Sequence, residues 1–332
     1  MEEKQLLIDQ ISMLQANGSI GSAYNVAQQA VSKIPGDIEL ITLLHMMRME
    51  IFAQQQLDAM KHITQQLIRT SNSTSQLLLE ELLKNPKFDD PLRLERYGYC
   101  AASQNEEDGL LAEVFNRIGV EHKTFFEFGV GSGLQNCTLH FLLQGWRGWW
   151  IEINKPKVNF MRKYFADAIA SGQLTLDDTN IDAENINSIC ETLNIDAEID
   201  LLSIDIDGND YHVFRALEAV KPRVVVLEYN PIFPPPIEMI GAYDANYVHA
   251  EDTYIGASLQ SLTNLCGKKG FTLVGCSVGG VNAVFVRSDL AEGKFASPST
   301  ASNFYHKGRY QLSFSGGFGV GGRANFGKIE KT

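Results

Sequence analysis

The chain has 332 residues, 44% hydrophobic and 20% charged, so it can bury a sizeable core and is not expected to be disordered. Its net charge is −12 and it has no basic run, which speaks against nucleic acid as a partner, because neutralising phosphates needs clustered Lys and Arg. The cysteines Cys100, Cys137, Cys190, Cys266 and Cys276 are widely spaced with no CxxC, which argues against a zinc site or disulfide framework. The start lacks signal-peptide character and no apolar stretch is long enough to span a bilayer, so a cytoplasmic location is expected.

Residues 1–85 read as helices only. Apolar residues recur at helical spacing in Leu6, Leu7, Ile11 and Leu14, then in Tyr24, Ala27, Val31 and Ile34. Ala23, Ala30 and Pro35 have the spacing of a tetratricopeptide helix pair, but no second copy is convincing, so a plain helical bundle stands beside that reading. Such helices would pack on the following domain or on a second subunit, which makes a homo-oligomer through them an expectation. Residues 70–75 read as a polar joint, with a helix resuming at 77. A connector with two prolines follows, then a helix over 106–118.

From there strands alternate with helices. Strands are expected at 124–128, 148–153, 174–176, 199–206 and 223–229, and helices at 134–143, 157–170, 186–193, 211–219 and 258–269. The alternation implies a parallel sheet covered on both faces. The last two strands, 271–276 and 281–287, are too close for a crossover and must pair antiparallel. The fold class expected is α/β: a Rossmann-like sheet of parallel strands closed by an antiparallel hairpin, with an α-helical N-terminal region. The division expected is 1–85 helical, 86–290 the sheet domain with an insert at 231–255, and 291–332 a Gly-rich tail.

The first strand ends in Glu127-Phe128-Gly129-Val130-Gly131-Ser132-Gly133. Glycines let the chain turn sharply and let a ligand touch the backbone at the carboxyl end of a strand. The dinucleotide spacing G-x-G-x-x-G fails in both registers, since Leu134 or Asn136 stands where its third glycine belongs. The observed E-x-G-x-G-x-G resembles the first motif of class I methyltransferases, which implies S-adenosylmethionine as cofactor on Glu127, Gly129, Gly131 and Gly133. An acidic residue before the glycines suits a cationic ligand with an ammonium group and would repel a pyrophosphate. Glu152 ends the second strand about twenty residues further on, where a carboxylate can accept both ribose hydroxyls. Asp182, near the end of the third strand, is taken for the adenine.

From about residue 85 to 290 the chain resembles a bacterial methyltransferase family related to the FkbM type. The matching stretches are Ser103-Gln104-Asn105-Glu106-Glu107-Asp108-Gly109, the glycine turn, Gly145-Trp146-Arg147-Gly148-Trp149-Trp150-Ile151-Glu152, 201–211, 225–230, Gly256-Ala257-Ser258-Leu259 and 273–287. Glu106-Glu107 departs from the Gly-Glu usual there. The resemblance implies that Gln104 and Asp108 lie over the cofactor; the alternative for them is a helix cap. It also implies transfer to a hydroxyl of a small molecule or glycan precursor. A non-catalytic binding or scaffold module and a nicotinamide oxidoreductase are the alternatives, the latter disfavoured by the glycine spacing.

The densest acidic group is Asp205-Ile206-Asp207-Gly208-Asn209-Asp210. One reading is a divalent-metal site, Mg2+ or another divalent cation on Asp205, Asp207, Glu228 and Asn230, lowering the pKa of the acceptor hydroxyl. A second is direct base catalysis by Asp207 or His249. The metal reading is narrowly preferred, and Asp205 also counts among the cofactor contacts. A haloacid-type phosphatase and simple helix capping are the remaining alternatives. The insert 231–255, with its prolines and Tyr243, Tyr247, His249 and Tyr254, is the expected acceptor wall.

Overall fold

A computed structural model describes residues 2–206, 208–246 and 256–309. Asp207, Tyr247, His249, Tyr254 and the Gly-rich part of the tail lie outside the described residues. The chain divides into two compact units, Met1–Ile68 and Arg69–Thr332, the division falling inside a helix rather than near residue 85.

The first unit holds α1 (Glu2–Ala16), α2 (Ile20–Lys33) and the start of α3 (Ile38–Leu83). Gly18, at φ +71, makes the turn between α1 and α2. Ile11, Ala23, Ala27 and Met47 form a small core, where the alanines allow close helix approach. Lys4 bridges Asp37 and Glu39, each at 2.8 Å. The expected joint at 70–75 does not exist, because α3 runs unbroken from Ile38 to Leu83. The stretch has neither Gly nor Pro, and its hydroxyls can bond within the helix: Thr74 Oγ1 donates to the carbonyl of Thr70 at 2.9 Å.

The second unit is built on a seven-stranded sheet. Its strands are β1 (Thr124–Phe128), β2 (Arg147–Ile151), β3 (Leu174–Asp177), β4 (Glu198–Ile204), β5 (Lys221–Glu228), β6 (Phe271–Cys276) and β7 (Asn282–Arg287). The spatial order is β3-β2-β1-β4-β5-β7-β6. The first five are parallel, while β7 pairs antiparallel with both β5 and β6. This is the expected α/β Rossmann-like sheet. Burial on both faces explains the continuous apolar runs such as Val224-Val225-Val226-Leu227, all at most 1% exposed.

Among the described residues the helices of this unit after α3 begin with α4 (Glu107–Ile118), α5 (Leu139–Leu143), α6 (Lys155–Tyr164) and α7 (Ala166–Ala170). They are followed by α8 (Ile186–Thr192), α9 (Asp210–Ala216), α10 (Leu259–Lys268), α11 (Ser288–Ala291) and α12 (Ala301–Phe304). One core gathers Phe125, Trp150, Leu201, Leu110 and Val114; the other gathers Phe126, Phe128, Leu202, Phe214 and Phe285. Alternation along β1 thus sends Phe125 to one core and Phe126 to the other.

At the end of the sheet away from the strand carboxyl ends, Asp200 is wholly buried. It accepts the backbone N–H groups of Glu121, His122 and Lys123 and pairs with Arg223 at 2.7 Å. This clasp fixes the entry into β1 and hence the height of its far end.

Candidate active site

The glycine turn sits where β1 stops. Gly129, Gly131 and Gly133 all have positive φ, at +81, +59 and +71. A Cβ on Gly129 would lie 1.5 Å from the carbonyl oxygen of Asp205, so the ends of β1 and β4 touch through it. A Cβ on Gly133 would press on Met161, Trp150 and Phe165.

The helix expected over 134–143 is shortened to α5, Leu139–Leu143. Glu127 is the cause. Its buried carboxylate accepts Asn136 Nδ2 at 2.5 Å, the Cys137 N–H at 3.0 Å, the Thr138 N–H at 3.1 Å and the Thr138 hydroxyl at 2.6 Å. Those donors cannot serve both this acid and a helical ladder. Thr138 Oγ1 in turn accepts Trp150 Nε1 at 2.7 Å, which ties the loop to β2. Burial pushes the Glu127 pKa up, against the pull of Thr138, Cys137 and Asn136.

Glu152, just past β2, accepts the Gly131 N–H at 2.7 Å on one oxygen and the Asn154 N–H at 2.8 Å on the other. It therefore holds the glycine turn against the start of α6. Asp182 does not line the cavity over the strand ends; its Oδ1 accepts the N–H groups of Glu184 and Asn185 at 3.0 and 2.7 Å, in the loop before α8. Thr179, Asn180 and Ile181 stand at the strand end instead.

Over these strand ends lies a cavity of about 640 Å³. The glycine turn, Glu127, Glu152, Gln104, Asp205 and Asn209 line it, together with Glu107, Asn282 and Ala245. Among the described lining residues the charges are Glu107, Glu127, Glu152, Asp205 and Lys157. The wall is thus strongly acidic. Asn209 Nδ2 donates to the carbonyl of Asp244 at 2.7 Å, and the Tyr243 hydroxyl donates to Glu184, which draws the described part of the 231–255 insert to the rim.

Three consecutive acids begin α4, and all are buried: Glu106, Glu107 and Asp108. Asp108 Oδ2 accepts the N–H groups of Ala101, Ala102 and Ser103 at 2.7, 2.6 and 2.8 Å, which precede α4, so it holds the incoming loop and neither caps the helix nor lines the cavity. Glu106 accepts the N–H groups of Val278 and Gly279 in the turn between β6 and β7. Glu107 accepts Asn105 Nδ2 at 3.1 Å and Asn282 Nδ2 at 2.8 Å on one oxygen, and the Asn105 N–H at 3.0 Å on the other. Burial raises both glutamates; Glu106, with Glu107 beside it, is pushed up to about 7.

That shift has a stability consequence of definite sign. Between the unfolded value near 4.5 and about 7, the folded chain holds more protons at Glu106 than the unfolded one, so stability falls as pH rises through this window. Buried His306 is shifted down by burial, so it acts oppositely, with stability lost as pH falls below 6.5. The Glu106→Gln chain is expected to lose less stability than the wild type between pH 5 and 7.5, by on the order of 2 kcal/mol. Urea unfolding at the two pH values checks it; parallel curves for the two chains would refute it.

Of the expected metal set, Asp207 lies outside the described residues, and of the other three only Asp205 lines the cavity. Among the described residues no group of three or more His, Cys, Asp and Glu side chains is placed to hold an ion. Asn230 is buried, with its Oδ1 accepting the Ile232 N–H at 3.0 Å, and neither it nor Glu228 lines the cavity. Asp205 does line it. The site residues that sequence reasoning passed over are Glu107, Asn209, Asn282, Lys157 and 179–181. Glu107 had a visible signal, standing in an unbroken acidic triplet; Asn282 had none, being one amide at the start of a strand.

Residues 155–248 match the methyltransferase FkbM domain family. No curated protein sequence matches the chain. Among solved structures, the glycopeptide N-methyltransferase MtfA complexed with S-adenosylmethionine is 16% identical, with 58% of this chain and 90% of that one covered at a TM-score of 0.33. The precorrin-6y C5,15-methyltransferase of Geobacter metallireducens is 15% identical over 57% and 92%, at 0.35. A SAM-dependent methyltransferase of Aquifex aeolicus is 14% identical over 60% and 94%, at 0.32.

Proposed function

We propose that the chain is an S-adenosylmethionine-dependent methyltransferase related to the FkbM family that residues 155–248 match, and that its acceptor is a hydroxyl of a small molecule or glycan precursor. The observation that carries the placement of the cofactor is the Glu152 bridge between Gly131 and Asn154, inside an acidic cavity at the strand carboxyl ends. Bound there, the cofactor supplies an electrophilic methyl group and a cationic sulfur. Glu152 is placed to take the ribose hydroxyls, the glycine turn to admit the amino-acid end, and 179–181 to flank the base. Glu127 acts by holding 136–138 open rather than as a free ligand, since its oxygens already accept four donors. The amides of Gln104, Asn209 and Asn282 offer both donors and acceptors, which suits a hydroxyl-rich acceptor.

Calorimetric titration with S-adenosylhomocysteine tests the cofactor placement. Glu152→Ala is expected to weaken binding about 10–100-fold, the worth of one or two charge-assisted hydrogen bonds. An intact chain that shows no heat of binding would end the proposal. A one-methyl mass gain on hydroxyl compounds in a metabolite panel tests the acceptor class; gains on amines alone would sink the hydroxyl reading. Chelation tests metal assistance: transfer unchanged within about twofold would exclude it, and a loss above tenfold would support it.

A homo-oligomer through the N-terminal helices also belongs to this reading. Met46, Met49, Ala53, Leu57, Met60 and Ile63 recur three or four residues apart on α3 and are exposed. Such a seam suits a second copy of the same helix. Leu57→Glu with Met60→Glu is expected to halve the mass seen by light scattering, and an unchanged mass would refute the seam.

A further inference from the structure

We propose that the acceptor is a hydroxyl compound that carries a protonated amine, of the amino-sugar or amino-alcohol kind, and no phosphate or carboxylate. The proposal rests on the methyltransferase reading above and deepens it by naming the acceptor's charge.

The cavity has two unlike ends. The sheet order puts β2 and β3 on one side of the glycine turn and β4, β5 and β7 on the other. On the first side stand Glu152, 179–181 and Lys157, the last in the first turn of α6. On the second stand Asp205, just past β4, and Asn282, which opens β7 and faces Glu228 at the end of β5. Glu107 belongs to this second side, because Asn282 Nδ2 donates to it at 2.8 Å. With the ribose on Glu152 and the base beside 179–181, the first side is taken by the cofactor. The acceptor is left the second side, entered past Asn209 and Ala245.

The two ends differ in charge. Lys157 is the one cation among the described lining residues, and its Nζ lies 3.9 Å from the place a Cβ on Gly131 would take. It thus stands at the glycine turn, within reach of the cofactor's own carboxylate. The second side has Glu107 and Asp205 and, among the described residues, no cation. The lack is written into the sequence around it. No Lys or Arg occurs in 97–116, 164–214, 224–267 or 276–286, the stretches that supply Glu107, Asp205, the insert and Asn282. However the insert 231–255 lies, its charged residues are all acids: Glu238, Asp244, Glu251 and Asp252. Arg309 reaches the turn between β6 and β7, but it donates to the carbonyl of Val278 and does not line the cavity.

A phosphate or carboxylate entering this side would give up its hydration, meet like charge and find no cation in exchange. Burial raises the pKa of Glu107, but a neutral carboxyl offers an anion no counter-charge either. An ammonium meets the opposite sign, and the amide oxygens of Gln104 and Asn282 can accept from it or from the hydroxyls beside it. The cofactor does not use up this negative field. Its sulfonium and ammonium are offset in part by its carboxylate, so it brings one net positive charge to a wall of four acids and one lysine. An amine kept protonated here has no lone pair to offer a methyl donor, which leaves the hydroxyl as the nucleophile.

The test begins with transfer of a deuterated methyl group from S-adenosylmethionine into a small-molecule extract. Products are found by their mass label and sorted by electrophoresis at neutral pH. The labelled product is expected to move as a cation. A labelled product that moves as an anion or stays neutral overturns the proposal, and no variant has to fold for that result. The acceptor recovered from the cationic fraction is then titrated into the S-adenosylhomocysteine complex by calorimetry. Its Kd should rise at least about threefold between low and high salt, as screening weakens a charge-led contact. Ala245→Lys, which adds a cation at the rim, should raise Kd about 5–50-fold, and Ala245→Gln, of similar length and no charge, by less than a third as much. Equal effects of the two substitutions, or a Kd indifferent to salt, also overturn it. A wild-type chain that does not bind S-adenosylhomocysteine is a different failure, that of the cofactor reading. A chain that binds it and labels nothing is the failure of the enzyme reading, and the acceptor's charge falls with it.

Discussion

Gly129→Ala is expected to cost at least about 4 kcal/mol, most of the stability of an ordinary domain, and to leave little soluble chain. The new methyl would sit 1.5 Å from the Asp205 carbonyl oxygen at a backbone φ of +81, and both neighbours are strand ends fixed by ladder hydrogen bonds. Nothing flexible can give way. Gly131→Ala is the control: φ is +59, but a Cβ there meets only Lys157 Nζ at 3.9 Å. That change should cost about 1–2 kcal/mol and weaken the cofactor more than the fold. Denaturant midpoints for the two variants check the contrast. Equal costs would mean that the β1–β4 contact is looser than described.

The second large effect is expected at Asp200→Ala. The change takes the buried carboxylate from the Arg223 guanidinium, whose side chain is 6% exposed, leaving it the carbonyls of Ile118 and Gly119 and the exposed Glu121 at 3.6 Å, and it frees three backbone N–H groups at the entry to β1. Removing one partner of a buried pair costs about 3–5 kcal/mol, since the remaining charge has no water to replace it. The Arg147–Asp196 pair is as short, at 2.5 Å, but its side chains are 48% and 40% exposed. Asp196→Ala should change stability by no more than about 0.5 kcal/mol. Urea unfolding of both variants distinguishes the cases, and a comparable loss at Asp196 would contradict the ranking.

The sheet was legible in the sequence because parallel strands buried on both faces must be apolar throughout. β1 and β6 fall on the expected residues, and the other strands shift by only a few residues at their ends. The helix at 134–143 was misread because its apolar spacing is real while its N–H donors go to Glu127, a competition that periodicity cannot reveal. At 70–75, polar composition mimicked a joint that the helix absorbs. The glycine turn was legible as a turn because its three glycines take positive φ, and Glu152 was legible as a strand-end acid, now seen to line the cavity beside it. Asp182 stands next to the lining residues 179–181 without lining the cavity itself, a difference of one position that loop composition does not reveal. The place of Glu107 on the cavity wall stayed hidden because it is set with Asn282, which the fold brings in from another element.

The lip of the cavity is also a matter of timing. Glu106 and Glu107 are held by Val278, Gly279 and Asn282, and Arg309 Nη1 donates to the carbonyl of Val278 at 2.8 Å. These partners lie more than 170 residues further along the chain. A ribosome adding about 5–20 residues per second therefore exposes the glycine turn many seconds before the segments that fasten α4 exist. During synthesis the nascent chain can hold the half of the cavity built by β1 and β2, but its acid lip forms last.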